Sequence, residues 1–184
     1  MITRLPEGRP FLKMHGLGND FVLLDGRIDA PRLSSEMIQA LADRRTGIGF
    51  DQLITLLPAP AGQADAFMSI HNADGSQVAA CGNASRCVAW LLMQESSRDH
   101  ITLATRAGLL SAWGAADGQI TVDMGPARLE WQDIPLAQAS DTLHLPLTAG
   151  PLCDGVAVSM GNPHAVFFVA DAEAIDLSLS LIHI

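Results

Sequence analysis

The 184-residue sequence is short of positive charge: 11 Lys and Arg stand against 20 Asp and Glu, a formal charge of −9 at neutral pH. With no basic cluster, a phosphate backbone or an anionic membrane surface finds no counter-charge, which argues against nucleic acid and membranes as partners. No apolar run approaches the roughly 18 residues that a membrane-spanning helix requires. The first ten residues carry Arg4, Glu7 and Arg9 and no apolar stretch, so they do not read as a secretory leader. Cysteine is scarce as well. Cys81, Cys87 and Cys153 are an odd number at irregular spacing and make no disulfide framework. What the chain does have is 48% hydrophobic and 17% charged residues, enough for a packed core and too little charge for disorder. These bounds describe a soluble, reduced, cytoplasmic globular protein of one or two domains.

Periodicity gives a mixed chain. Residues 11–14 and 21–24 read as short strands joined by the glycine-rich His15-Gly16-Leu17-Gly18-Asn19. Ser34 and Ser35 offer an N-cap for a helix that Gly47 would stop. Strands follow at 53–57 and 66–71, then a second helix after Cys81-Gly82-Asn83. Residues 101–105, 109–113 and 120–124 read as a meander with Asp117-Gly118 as its hairpin turn. The stretch 132–150 is weakly patterned, a domain boundary is expected near there, and 156–160 and 165–169 are the last clear strands. In the second helix Ala84, Cys87, Val88, Leu91 and Leu92 form one apolar face, while Ala89, Trp90 and Met93 make the others apolar too. A helix apolar all round is buried, and strands curling around it as a barrel-like shell bury it most simply. A faint echo links Gly18-Asn19 with its apolar strand to Gly161-Asn162 with its own, 143 residues later; on that match alone, chance is an equal reading.

The densest polar cluster is Asn72-Ala73-Asp74-Gly75-Ser76 followed by Cys81-Gly82-Asn83-Ala84-Ser85-Arg86. A strand delivers Asn72, a turn forms at Asp74-Gly75, and the buried helix starts after Cys81. The free N–H groups and dipole of a first helical turn favour negative charge, so a thiol at that place is a candidate base or nucleophile. The N–H groups of Gly82 and Asn83 can take a carboxylate, and Gly82 lets it approach closely. The remaining candidates have plainer readings. Cys87 fits a small core residue, Asp74 a turn former, and His71 and His100 ordinary surface or core positions. Arg86 could anchor a neighbouring carbonyl, and Cys153 has no role. Cys81 and Cys87 are too far apart in sequence for a structural zinc pair, and no metal is expected.

The two polar blocks resemble, position for position, the signature of the diaminopimelate epimerase family. The likeness extends through Lys13-Met14-His15-Gly16-Leu17-Gly18-Asn19-Asp20-Phe21, Gly47-Ile48-Gly49-Phe50-Asp51-Gln52 and Met160-Gly161-Asn162-Pro163-His164. It implies an α+β fold of two similar domains, each a sheet wrapped on a central helix, with the site in the cleft between them. It also implies a cofactor-independent isomerase that interconverts LL- and meso-diaminopimelate in lysine and peptidoglycan-precursor synthesis, and a homodimer at full length. In this family one cysteine thiolate removes the α-proton while a second, protonated, returns one to the opposite face. Cys81 matches the first of the pair. Asn19, Gln52, Asn72, Gly82, Asn83 and Asn162 match substrate-contacting positions, and His164 matches a position that tunes the cysteines.

The resemblance divides the chain into an N-terminal extension (1–10), an N-terminal epimerase domain (11–128) and the start of a C-terminal one (129–178). The family's second catalytic cysteine, its Glu-Arg pair and a second Gly-Thr helix start have no match. Cys87 sits about 9 Å along the same helix from Cys81, and Cys153 precedes the Gly-Asn-Pro-His block. The hexapeptide 179–184 does not fit the family and resembles the translation of a sequencing-adapter end. The expectation is therefore a truncated chain, inactive as it stands, in which Val166, Phe167 and Phe168 lack part of their packing. Three readings compete: another cofactor-independent racemase, a non-catalytic carboxylate-binding domain, and a cysteine hydrolase pairing Cys81 with His164.

Overall fold

The computed structural model describes residues 8–60, 62–134 and 136–176. The unusual hexapeptide 179–184 and residues 1–7 of the expected extension lie outside that range. The described residues form two compact units that divide between Met124 and Gly125. The first unit begins with β1 (Leu12–Gly16), β2 (Asn19–Asp25), α1 (Ser35–Ala42), β3 (Gln52–Leu57), β4 (Ala66–Asn72) and β5 (Gln77–Val78). It continues with α2 (Gly82–Ser96), β6 (His100–Thr105), β7 (Gly108–Gly114) and β8 (Ile120–Asp123), and the second unit holds β9 (Val156–Ser159) and β10 (Pro163–Val166).

Local chemistry sets most of these boundaries. The Ser34 hydroxyl accepts the Met37 N–H at 3.3 Å and starts α1. The helix ends at Ala42, short of Gly47, because the Asp43 carboxylate takes the N–H groups of Arg45 and Thr46 at 2.8 and 2.6 Å. That Asx turn competes with further helix. β5 escapes sequence reading since two residues carry no period. β10 starts at Pro163, two residues earlier than alternation suggests; it is the outer member of a two-stranded sheet, where proline costs no ladder bond.

The first unit is one curled sheet in the order β1-β2-β3-β4-β6-β7-β8, with β5 added to β4. β2 and β3 are parallel, as are β4 and β6; the other neighbours are antiparallel. α2 packs against β1 at one end of this order and against β6, β7 and β8 at the other, so the sheet wraps the helix. Phe21, Leu23, Ile54, Leu56, Met68, Ile70, Ile101, Leu103, Leu110 and Ala112 meet Ala84, Val88, Ala89 and Leu92 in the main core. Each large side chain buried there is worth about 1.5–3 kcal/mol against exposure. The alternate residues Val22, Leu24 and Leu53 face the other way, onto Ile38, Leu41 and Phe50 of the α1 layer.

The shell is not closed. β1 and β8 end the strand order without pairing to each other. A cleft of about 360 Å³ opens there, lined by Met14, His15, Gly16, Arg86, Cys87, Trp90 and Ile120. Trp90, 45% exposed, is the face of α2 that the sheet leaves uncovered, which corrects the expectation of a helix buried on every side.

The second unit has a small core of Ile134, Leu145 and Ala157. Its β9–β10 hairpin leaves β10 exposed along its length, and Phe168 is 86% exposed. Phe167 instead lies over Gly155, where an added Cβ would come within 2.7 Å of its ring. The echo seen in the sequence has a local structural counterpart. Gly18 (φ +88°) and Gly161 (φ +93°) each occupy a hairpin turn directly before the asparagine.

Candidate active site

Strand periodicity builds the site. Phe21 and Leu23 on β2, Ile54 and Leu56 on β3, and Met68 and Ile70 on β4 all face α2. Stepping two residues further along each stripe gives Asn19, Gln52 and Asn72. The parallel β2–β3 register (Phe21 with Gln52) and the antiparallel β3–β4 register (Gln52 with Asn72) bring all three to one end of the sheet. Apolar layer therefore gives way to carboxamides at one edge of one face. Gln52 Nε2 donates to Asn72 Oδ1 at 3.0 Å, and Asn72 Nδ2 donates to the Ser76 hydroxyl at 3.1 Å. Gln52 Oε1 is buried and has no hydrogen-bond partner among the described residues.

The start of α2 lies at the same end. Cys81 is its N-cap residue, in extended conformation (φ −150°, ψ 113°), and its side chain caps no N–H of its own helix. The Cys81 carbonyl instead accepts both the N–H and the hydroxyl of Ser85, each at 2.9 Å. The N–H groups of Gly82, Asn83 and Ala84 precede the first helical acceptor and so have none within α2. The Cys81 sulfur lies 4.0 Å from Asn19 Oδ1 and is partly exposed. Arg86, one turn along, donates to Asn83 Oδ1 and holds that side chain.

The β1–β2 hairpin is pressed against this helix start. Its two-residue turn puts Leu17 (φ 55°) and Gly18 (φ +88°) in the left-handed region, the pairing that a tight hairpin demands. Gly16 leaves little room for a side chain for a different reason. A Cβ there would sit 3.1 Å from Asn83 Cβ and 3.2 Å from Asn83 O.

A charged clasp that the sequence reading did not pick out fixes the near ends of β2 and β3. Asp20 N–H donates to Asp51 Oδ2 and Asp51 N–H donates to Asp20 Oδ1, both at 3.0 Å. Arg44 bridges the two carboxylates at 2.7 and 2.8 Å, Lys13 adds a bond to Asp20 at 2.7 Å, and Asn19 Nδ2 donates to Asp51 Oδ2 at 3.1 Å. The Arg44 guanidinium, assisted by Lys13, holds the Asp20 carboxyl far below the usual carboxylate range. The one available signal was an aspartate just ahead of each of two apolar strands, Asp20-Phe21 and Asp51-Gln52-Leu53. Its meaning depends on the parallel pairing of those strands.

The other candidates fall where their plainer readings put them. Cys87 is buried in the α2 core, and burial pushes its thiol up. Asp74 Oδ1 accepts the Ser76 N–H at 2.8 Å and shapes the turn. His71 is half-buried, its Nδ1 has no partner among the described residues, and desolvation pulls its pKa down. His100 lies against Trp113 with ring centroids 5.3 Å apart. Among the described residues no group of three or more His, Cys, Asp or Glu side chains could hold a metal ion, and no helix is long and apolar enough to cross a membrane. Cys81, Asn19, Gln52, Asn72, Gly82 and Asn83 thus share the first unit. Asn162 and His164 belong to the second, on the β9–β10 hairpin, with His164 Nδ1 3.0 Å from the Asn162 carbonyl. A carbonyl only accepts, so the ring proton lies on Nδ1. Cys153 is exposed in that unit.

Known proteins share the fold and the sequence family of this chain. The chain resembles solved structures of a predicted epimerase from Pseudomonas aeruginosa (TM-score 0.58, 22% identity, 95% of this chain and 66% of that one) and a hydroxyproline epimerase from Agrobacterium vitis (TM-score 0.54, 20% identity, 92% and 52%). These likenesses establish the α+β epimerase fold. In sequence it is 58% identical over 170 residues to the diaminopimelate epimerase of Rhodospirillum centenum, covering 92% of this chain and 58% of that protein. To that of Phenylobacterium zucineum it is 53% identical over 174 residues, covering 90% and 61%. The chain thus spans about three-fifths of the length of these relatives. The family model described as diaminopimelate epimerase matches residues 11–130. With that model matched over more than half of its length and both relatives more than 50% identical, the chain belongs to the diaminopimelate epimerase family.

Proposed function

We propose that this chain carries the N-terminal half of a cofactor-independent diaminopimelate epimerase site, with Cys81 as one of two proton-transferring cysteines. An amino-acid α-proton is a very weak acid, so its removal calls for a well-placed base in a site closed to water. In one direction the Cys81 thiolate takes the α-proton and becomes a thiol while a carbanion forms. A cysteine on the opposite face gives its own proton to the carbanion and becomes the thiolate. In the other direction the roles exchange. The N–H groups of Gly82 and Asn83 suit the α-carboxylate, and a donor such as the substrate ammonium suits the unpartnered Gln52 Oε1. Asn19, Asn72 and Asn162 are assigned to substrate contacts and His164 to tuning of the cysteines, on the family resemblance.

The observation that carries this reading is the convergence of an uncapped N-cap thiol with three carboxamides at one end of one sheet face. Neither Cys87, buried on the same helix, nor Cys153, in a part of the chain where the family has no catalytic group, suits the second role. The 184-residue chain by itself is therefore expected to leave LL-diaminopimelate uninverted. The domain division at 128/129, the cytoplasmic location and a homodimer at full length rest on the same resemblance. The test is deuterium incorporation from solvent at the substrate α-carbon by the protein at the full length of its relatives. Exchange is expected, and Cys81→Ala should reduce it to background; a full-length protein that exchanges no deuterium overturns the reading.

A further inference from the structure

We infer that Asp51 is a positioning residue for Cys81, acting through the Asn19 carboxamide. A carboxylate offers acceptors only, so the end of Asn19 that faces Asp51 has to be its NH2 group, at 3.1 Å. That choice leaves Asn19 Oδ1, and not the NH2, pointing at the Cys81 sulfur 4.0 Å away. An oxygen in that place can accept a thiol proton and opposes a thiolate, whereas an NH2 would do the reverse.

Asp51 is itself held from three sides. Its Oδ1 accepts from Arg44 at 2.8 Å, its Oδ2 also accepts the Asp20 N–H at 3.0 Å, and its own N–H donates to Asp20 Oδ1 at 3.0 Å. The carboxylate cannot turn away without breaking the clasp that aligns β2 with β3. The Asn19 amide therefore has one orientation imposed on it by groups that never touch the thiol. Rotation of Asn19 would require Asp51 to present a donor, which it lacks. Which Asn19 atom faces the Cys81 sulfur is thus set two residues away in the hydrogen-bond chain.

This inference rests on Cys81 being the reactive group of the site, and its test reads the thiol itself without turnover. A failed epimerase assay and a failed positioning assay are thus separate results. The rate of Cys81 carboxamidomethylation by iodoacetamide is measured against pH in the 184-residue chain carrying Cys153→Ser, with the labelled peptide identified by mass spectrometry. Asp51→Asn can present an NH2 or an oxygen and so releases the Asn19 amide. It should raise the rate at pH 7 about threefold, half a unit of the pH profile toward acid. Asn19→Ala, which leaves the clasp intact, should do the same. In the Asn19→Ala background, Asp51→Asn should add nothing. Asp20→Asn, which neutralises a neighbouring carboxylate but leaves the Asn19–Asp51 bond, should change the rate less than twofold. Additive effects of Asp51→Asn and Asn19→Ala, an Asp20→Asn effect equal to that of Asp51→Asn, or an unchanged rate in Asn19→Ala would each overturn the assignment. The last comparison can overturn the assignment even if Asp51→Asn does not fold.

Discussion

The carboxamide oxygen of Asn19 and the sulfur of Cys81, 62 residues apart in the chain, face each other across 4.0 Å at the start of α2. That approach exists because the β1–β2 hairpin lies against the first turn of the helix, with Gly16 in contact with Asn83. Four further consequences of this arrangement can be measured.

Gln52 keeps a buried carbonyl oxygen without a partner among the described residues. Gln52→Met removes that oxygen but also the bond from Gln52 Nε2 to Asn72 Oδ1. It should therefore lower the urea midpoint by the equivalent of about 1–3 kcal/mol. Diaminopimelate binding to the full-length protein, followed by calorimetry, should weaken by about tenfold, the 1.4 kcal/mol of one hydrogen bond.

Leu17 holds a left-handed backbone (φ 55°) while 89% exposed at the hairpin tip, so strain there is not repaid by burial. Asparagine tolerates this conformation, and Asn-Gly is the favoured pair for such a turn. Leu17→Asn should stabilise the chain by about 1 kcal/mol, seen as a higher urea midpoint at unchanged slope.

Asp20 is held below its ordinary value of 3.8 by Arg44 first and then by Lys13. A carboxyl depressed in the folded state contributes stability that is fully present above its unfolded value. The contribution is lost as pH falls from there through the folded value. Asp20→Asn should thus be less stable than the parent at pH 7, with the gap narrowing as the pH drops below about 4. Urea titrations at a series of pH values give the comparison. A gap that stays constant from pH 7 to pH 2 would show that the charge is not the cause.

Cys87 is buried, with its thiol pushed up by desolvation, whereas Cys153 is exposed. Under native conditions at pH 8 a maleimide should label Cys153 within minutes and Cys87 only on the timescale of unfolding. Cys87→Ala removes a small buried group and should cost about 1 kcal/mol.

The hairpin and meander strands were readable because residues 21–24 and 101–105 are short runs rich in apolar residues and bounded by turn formers, and they are buried nearly throughout. Ser34 announced α1 through its hydroxyl, and Cys81-Gly82-Asn83 marked the start of α2. The early end of α1 was harder to read, since the Asp43 turn competes with helix through bonds to Arg45 and Thr46 that spacing does not rank. Trp90 was misread for a related reason. Its apolar character fits a buried helix, but only the unpaired ends of β1 and β8 determine that this face meets solvent.

By itself, the sequence determined the family of this protein, its candidate thiol and the carboxamides expected near it. Those properties reside in local residue order: a helix start beside Cys81, and short blocks whose identities do not depend on what they touch. Only the tertiary structure decided which side chains control that thiol. Asp51 meets Asn19, and Arg44 meets both Asp20 and Asp51, because β2 and β3 run parallel with Phe21 opposite Gln52. Parallel pairing joins segments through a crossover, here containing α1, and its register is set by burial on both faces of the strands. The hydrogen-bond chain from Arg44 to the Cys81 sulfur is a product of that register, and no local pattern in either segment encodes it.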